Sequence, residues 1–305
     1  MNKDKHKKLL IVIAGPTASG KTSLAIELAK KLKAEIISAD SRQVYKEMSI
    51  GTAKPTINEM QGVPHHFIGN VSIKEKYDVG IYEREVLGFL EKYYQKNEYA
   101  ILVGGTGLYI NAVLYGLDKF PDVDEEVKLK LNEEYQEKGI EHLQNELKEV
   151  DFDYYDSVDK NNAHRLIRAL SVYRQSGSPY SSFLDKTRPK REFEPIKILL
   201  DTPREVLYQR INDRVDDMLI EGLEEEAGDL YQFKHLKALQ TVGYKELFKY
   251  FDGDITKEEA IDLLKQNTRR YAKRQMTWFR NKGKWNVFDA KNTDEIYDFI
   301  IKNSE

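Results

Sequence analysis

The chain has 305 residues, of which 40% are hydrophobic and 32% charged, with a formal net charge of −3. That is an ordinary balance for a folded, water-soluble chain, and the length points to one large domain or to a domain carrying an insertion. With no cysteine and six scattered histidines, disulfides, thiol catalysis and Cys-based zinc sites are excluded and no structural metal is expected.

The start, Met1 to Lys8, is basic and polar, and the apolar run after it covers only Leu9 to Ala14. That is too short for a signal peptide, and no run approaches the ~20 apolar residues of a membrane span, so a cytoplasmic protein with no membrane partner is expected. Leu9 to Ala14 reads as a buried strand because it is a short run rich in Ile and Val. Gly15, Pro16, Thr17, Ala18, Ser19, Gly20, Lys21 and Thr22 follow it and match G-x-x-x-x-G-K-[ST] in full. Glycines let backbone N–H groups turn inward around phosphate oxygens, and the helix that starts there adds a favourable dipole. Lys21 brings a charge to the terminal phosphate, and the Thr22 hydroxyl can ligate Mg²⁺. The motif binds a di- or triphosphate; it does not say which, nor whether a phosphoryl group moves.

A helix is predicted from Lys21 to about Lys33, where Leu24, Leu28 and Leu32 share one face. Glu35 to Ala39 is a second strand with Asp40 at its carboxyl end, where ligands of open α/β sheets sit. A carboxylate there can take a proton from an acceptor or reach a metal; it can equally cap the next turn. His65 and His66 are adjacent and lack metal-site spacing, so a structural loop role is expected. Glu83 to Gln95 is a predicted helix. Ala100 to Val103 is a buried strand ending in Gly104, Gly105, Thr106 and Gly107. It lacks the terminal Asp of a Walker B strand, which argues against an ordinary NTPase. The alternation means a P-loop NTPase-like parallel sheet flanked by helices, an α/β fold.

Residues 116–195 are charged and helically patterned, punctuated by Pro121, Pro179 and Pro189. They read as a helical insertion between the two parts of a catalytic core, 1–115 and 196–305. Ile196 to Leu200 returns to a strand; Asp201 after it is a Walker B look-alike or a helix cap. Arg210 and Arg214 lie one turn apart on a predicted helix, and Arg214 can close over phosphates and stabilise a departing diphosphate. From Lys265 to Phe288 there is no acidic residue, eight lysines and arginines, and Tyr271, Trp278, Phe279 and Trp285 interleaved with them. Such a segment either grips a nucleic-acid backbone with stacked bases or closes the domain with its aromatics in the core.

Taken together, the segments resemble the tRNA dimethylallyltransferase family. The matching pieces are GPTASGKT at Gly15 to Thr22, SADSRQVY at Ser38 to Tyr45, IGTAKPT at Ile50 to Thr56, GVPHHFI at Gly62 to Ile68, LVGGTGLYI at Leu102 to Ile110, HRLIRAL at His164 to Leu170, TVGYKE at Thr241 to Glu246 and RRYAKRQMTWFR at Arg269 to Arg280. They span almost the whole chain in the family's order. The resemblance implies that the loop of Gly15, Thr17, Ala18, Ser19, Gly20, Lys21 and Thr22 holds the diphosphate of dimethylallyl diphosphate rather than ATP, with Mg²⁺ at Thr22. It implies Asp40 as the base for the exocyclic amine of an adenosine 3′ of the anticodon, Thr106 as the hydroxyl that positions that amine, and Arg214 on the leaving group. It implies tRNA contacts, in the anticodon stem-loop, for Asp40, Ser41, Arg42, Gln43, Thr106, His164, Arg165, Leu166, Ile167, Arg168, Gly243 and Tyr244, and it tips the basic helix towards RNA. A monomer is expected. Without cysteine the chain cannot carry the C-terminal zinc finger of eukaryotic relatives.

Three rival readings predict different behaviour. A small-molecule kinase would turn over ATP without RNA. A prenyltransferase of free adenine nucleotides would not need the insertion or the basic helix, and a non-catalytic RNA binder would have no use for Lys21, Asp40 and Thr106 together.

Overall fold

The computed structural model describes residues 7–184 and 187–304; of the basic start, residues 1–6 lie outside them. Among the described residues, six strands form one parallel sheet: β1 (Leu9–Ala14), β2 (Glu35–Ser38), β3 (His65–His66), β4 (Tyr99–Gly104), β5 (Glu194–Leu200) and β6 (Asn286–Phe288). Their order is β3-β2-β4-β1-β5-β6. Every residue of β1 is fully buried, because it lies between β4 and β5 and is covered on both faces.

Successive side chains of a strand point to opposite faces, and β1 divides accordingly. Leu9, Ile11 and Ile13 pack with Leu24 and Leu28 of α1 (Lys21–Leu32). Leu10, Val12 and Ala14 join the other core. There they meet Tyr82, Val86 and Leu90, and Ile110 and Val113. The first three come from a helix that starts at Val79, the last two from one that starts at Gly107. The connecting helices up to this point are α2 (Ile57–Met60), α3 (Val79–Tyr93) and α4 (Gly107–Tyr115). The sequence places the start of α3 at Glu83; Asp78 begins it four residues sooner by accepting the N–H groups of Gly80 and Ile81.

The chain divides into two compact units. One runs to Tyr115 and resumes at Arg191; the other is Gly116–Lys190. The second ends sooner than the boundary of 195 read from the sequence. Arg191 is already tied to the first unit through Glu83 and the Ala112 carbonyl, and Glu194 opens β5. The second unit holds α5 (Glu125–Lys138), α6 (Ile140–Val150), α7 (Phe152–Ser157) and α8 (Ala163–Ser176), packed around Leu131, Leu143, Leu147, Leu166 and Leu170. Arg174 forks across Glu134 and Glu146, and the paired guanidinium holds the Glu134 carboxyl down to about 2. His142 completes this group of possible metal ligands, which the arginine fills instead.

After β5 come α9 (Arg204–Ile220), α10 (Leu223–Leu230), α11 (Tyr244–Phe251), α12 (Lys257–Asn281) and α13 (Thr293–Lys302). Thr256 and Glu259 form a capping box that starts α12. Ile296 and Ile300 of α13 cover the α1 side of the sheet. No helix among the described residues is long and apolar enough to cross a membrane.

The strand order sets β2, β4 and β1 side by side, so the segments after all three emerge at one edge. The approach is close at Gly104, where an added Cβ would lie 2.2 Å from the Ala39 carbonyl oxygen. Gly104→Ala is therefore expected to cost about 1–3 kcal/mol of stability by overpacking. A thermal denaturation curve checks this; an unchanged midpoint would mean that the β2 end yields without cost.

Candidate active site

Three loops meet at this edge. The first follows β1. Gly20 caps α1 in the left-handed region (φ 89°), no side chain caps the helix, and its first turn holds no acidic residue. Its leading N–H groups are thus left for an anion. Ser19 is fully buried, and its hydroxyl has no hydrogen-bond partner among the described residues. A buried hydroxyl without a partner costs about 1–3 kcal/mol, which a ligand oxygen would offset. Lys21 is partly buried, with its ammonium donating to the Pro16 carbonyl at 2.5 Å. Burial first and the Arg214 charge second bring its pKa down to about 7, while Asp40 pushes the other way. Arg214, on α9, points a guanidinium N–H at the Thr17 hydroxyl (3.4 Å). Its own pKa is lowered by burial. Thr22 is exposed in the first turn of α1.

The second loop follows β2. Asp40 accepts N–H groups from Arg42 (2.8 Å) and Gln43 (3.4 Å) through one oxygen, Oδ1. It caps the turn that follows, and Oδ2 takes part in neither of these bonds. The third loop follows β4. The Thr106 N–H donates to Ala39 O (3.1 Å), and the Thr106 hydroxyl accepts the Ser41 N–H (3.0 Å) and lies 3.3 Å from the Ser41 hydroxyl. Thr106 thus holds Ser41, the residue next to Asp40, and the three lie together near Lys21. Tyr271 of α12 adjoins them; burial, then the Asp40 charge, push its phenol up to about 12.

Several predicted contact residues have their side chains committed elsewhere. Arg42 donates to the carbonyls of Lys237 and Ala238. Gln43 donates to those of Thr52 and Ala53. Tyr244 is fully buried with its hydroxyl on Glu226, and Gly243 is buried at the start of α11, its N–H bound by Glu246. In the second unit, Leu166 and Ile167 are core residues. His164, Arg165 and Arg168 are exposed on α8, with Arg168 over the Phe120 ring and His164 at a polar cleft beside Asn132 and Asn162. The side chains of Leu166 and Tyr244 are fully buried, and that of Ile167, 8% exposed, reaches only the wall of the same cleft, so all three pack in the cores of their units.

Asp201 does not cap α9, whose N-cap is Pro203 with no side-chain hydrogen bond; it pairs with Arg280 instead. His66 bonds Glu35 and His65 bonds Val63 O, both structural, although the pair forms a short strand rather than a loop.

Two residues were missed. Glu226 accepts the N–H groups of Ser49, Ile50 and Gly51 as well as the Tyr244 hydroxyl, and so ties the segment at Ile50–Thr52 to α10 and α11. Nothing in its acidic run marks it. Gln275, 7% exposed, bonds both the first and the third loop. Its one signal was position: it lies four residues from Tyr271 and three from Trp278, on one helix face.

The sequence matches the IPP transferase family over residues 43–282. The tRNA dimethylallyltransferase of Flavobacterium johnsoniae is 49% identical over 303 residues, covering 97% of this chain and 98% of that one. Among solved structures, the full-length tRNA isopentenylpyrophosphate transferase of Bacillus halodurans is 40% identical with a TM-score of 0.73, covering 98% of this chain and 97% of the other. A eukaryotic dimethylallyltransferase acting on tRNA is 30% identical with a TM-score of 0.79, covering 97% of this chain and 79% of the other.

Proposed function

The chain belongs to the IPP transferase family, and we propose that it transfers the dimethylallyl group of dimethylallyl diphosphate to the exocyclic amine of the adenosine 3′ of the anticodon in tRNA, releasing diphosphate. The observation that carries this reading is the meeting of an uncapped phosphate loop with the Asp40–Ser41–Thr106 group at one sheet edge.

The loop of Gly15, Thr17, Ala18, Ser19, Gly20 and Lys21 holds the diphosphate, with Arg214 closing on it beside Thr17. The C1–O bond of the prenyl group breaks and its electron pair leaves with the diphosphate, whose growing charge Lys21 and Arg214 stabilise. The adenosine amine attacks C1, forming a C–N bond, and gives up one proton. That amine is weakly basic because its lone pair is spread into the ring. Asp40 takes the proton on Oδ2, while its two turn N–H bonds hold the carboxylate in place. Thr106 positions the amine. The base must leave the stack to reach these groups, at a cost of a few kcal/mol.

An exposed hydroxyl at Thr22 and the Asp40 carboxylate, both beside the cradle, are the oxygen donors that a hard, partly hydrated cation takes. Thr22 would hold Mg²⁺, which when bound offsets diphosphate charge. On the RNA side, Ser41, with the backbone of Arg42 and Gln43, adjoins the acceptor. His164, Arg165 and Arg168 and the outer face of α12 supply contacts to the anticodon stem-loop. Leu166, Ile167, Gly243 and Tyr244 support those contacts from behind. Lys21, Asp40, Thr106 and Arg214 all come from one chain, so a monomer suffices. A tRNA substrate sets the work in the cytoplasm.

The test is transfer of labelled prenyl from dimethylallyl diphosphate, with Mg²⁺, to unmodified tRNA and in parallel to AMP. Label in tRNA alone is expected. Label in AMP, or ATP turnover in place of transfer, would overturn the reading.

The lowered pKa of Lys21 carries a second expectation. Free Lys21 is mostly neutral above pH 7, and a bound diphosphate restores its charge. Binding at about pH 8 without divalent cations then takes up most of one proton, and at about pH 6 almost none, so affinity falls as pH rises through 7. Calorimetry in buffers of different ionisation enthalpy counts the protons. Zero uptake at the higher pH would mean that the ammonium is already charged before the ligand arrives.

A further inference from the structure

We infer that Gln275 is a positioning residue for the transfer step, holding the diphosphate loop and the acceptor loop at a fixed separation. This rests on the reading of the site given above. The Gln275 Oε1 accepts the Thr17 N–H at 3.0 Å, and its Nε2 donates to the Gly105 carbonyl at 3.0 Å. The orientation of the amide is settled by its partners, since an N–H must meet the oxygen and a carbonyl must meet the nitrogen. One side chain thus spans two loops that are far apart in sequence and joined by no other side chain in this way among the described residues.

The bridge also accounts for a glycine. A Cβ at Gly105 would fall 2.2 Å from the Gln275 nitrogen. Three residues further along α12, the Trp278 ring lies where a Cβ at Gly107 would be, again at 2.2 Å. Four residues back, Tyr271 adjoins Thr106. Tyr271, Gln275 and Trp278 form one inward stripe at helical spacing, pressed on the acceptor loop. Arg270, Lys273 and Arg280 of the same helix are exposed, as is Arg274, whose guanidinium lies over the Tyr271 ring.

The geometry bears directly on the reaction. The prenyl C1 must lie between an oxygen that leaves with the diphosphate loop and a nitrogen held by Thr106 and Asp40. Reacting atoms need to approach within about 3–3.5 Å, and a slip of about 1 Å costs on the order of 10²-fold in rate. Gln275 fixes the Thr17 backbone on one side, and the Thr17 hydroxyl in turn holds Arg214. On the other side it fixes the residue before Thr106.

The experiment compares wild type, Gln275→Ala and Gln275→Glu in single-turnover transfer at saturating substrates, with equilibrium binding of dimethylallyl diphosphate and of tRNA measured beside it. Gln275→Ala should transfer at least about tenfold more slowly, while both dissociation constants stay within about threefold. Gln275→Glu adds a readout that a merely structural role would not move. Its carboxylate accepts the Thr17 N–H but faces the Gly105 carbonyl with no donor, and its acid form restores the donor. Its rate relative to wild type should rise as pH falls from about 8.5 to 6, while that of Gln275→Ala stays flat. A wild-type rate for Gln275→Ala, a flat profile for Gln275→Glu, or loss of substrate binding in step with rate would each overturn the inference. A wild type that transfers no prenyl group would instead overturn the function on which it rests.

Discussion

Asp40→Ala is expected to slow prenyl transfer by about 10²–10⁴-fold at saturating substrates, the usual worth of a positioned general base. Binding of tRNA should remain close to wild type. The separation follows from the hydrogen bonds. Asp40 uses Oδ1 to hold the turn at Arg42 and Gln43, but the Arg42 guanidinium and the Gln43 amide have their own anchors on four backbone carbonyls. The turn therefore keeps its shape when the carboxylate goes. Asp40→Asn sharpens the test, because it keeps the acceptor for the turn and removes only the proton sink. It should be about as slow as Asp40→Ala. If Asn transfers at the wild-type rate, Asp40 is a cap and not the base. If Ala weakens tRNA binding by the same factor as it slows transfer, its role lies in RNA recognition.

Arg214→Ala is the second large effect. The residue is mostly buried and its guanidinium points at Thr17 in the phosphate loop. Charge that develops on the departing diphosphate is what it can stabilise, and losing one such preorganised group lowers kcat by about 10²–10³-fold. Arg214→Lys should recover little, since a lysine offers a single point charge on a shorter stem where the guanidinium offers a fork. The comparison to make is kcat with dimethylallyl diphosphate against the dissociation constant of inorganic diphosphate. A pure binding role would raise that constant and leave kcat alone, and that result would remove Arg214 from the chemistry.

The parts of this fold that are legible from sequence are those whose residues bury on both faces. The β1 and β4 runs are continuously apolar at their centres, and β5 closes on Ile198, Leu199 and Leu200, so each carries its own signal. The phosphate loop is legible because its function dictates its residues. By contrast β3 is two histidines and β6 is Asn-Val-Phe, both held by pairing to a neighbour and not by any pattern of their own. α13 is short and its apolar signal is brief, with Ile296 and Ile300 four apart on its buried face between polar stretches. The stretch from Lys265 to Phe288 posed a choice between RNA binding and core closure. The helix holds inward-facing aromatics, with Phe279 fully buried, and outward-facing charges, so periodicity along one helix accommodates both. Gly243 and Tyr244 entered through the family resemblance alone; what their pattern could not show is that the Tyr244 ring packs on Gly51, where a Cβ would lie 2.7 Å from it.

The tight seat of α12 on the acceptor loop bears on how such a chain can change over generations. Gly105 with Gln275, and Gly107 with Trp278, are paired across a gap that leaves no room for even one methyl group. The glycine of such a pair cannot drift first: a larger residue at 107 must be preceded by a smaller one at 278. The exposed positions of the same helix carry no such tie and are free to vary with the RNA they meet. A library that randomises Arg270, Lys273 and Arg274 should therefore yield many folded members. One that randomises Gly107 should yield survivors almost only when Trp278 is randomised with it.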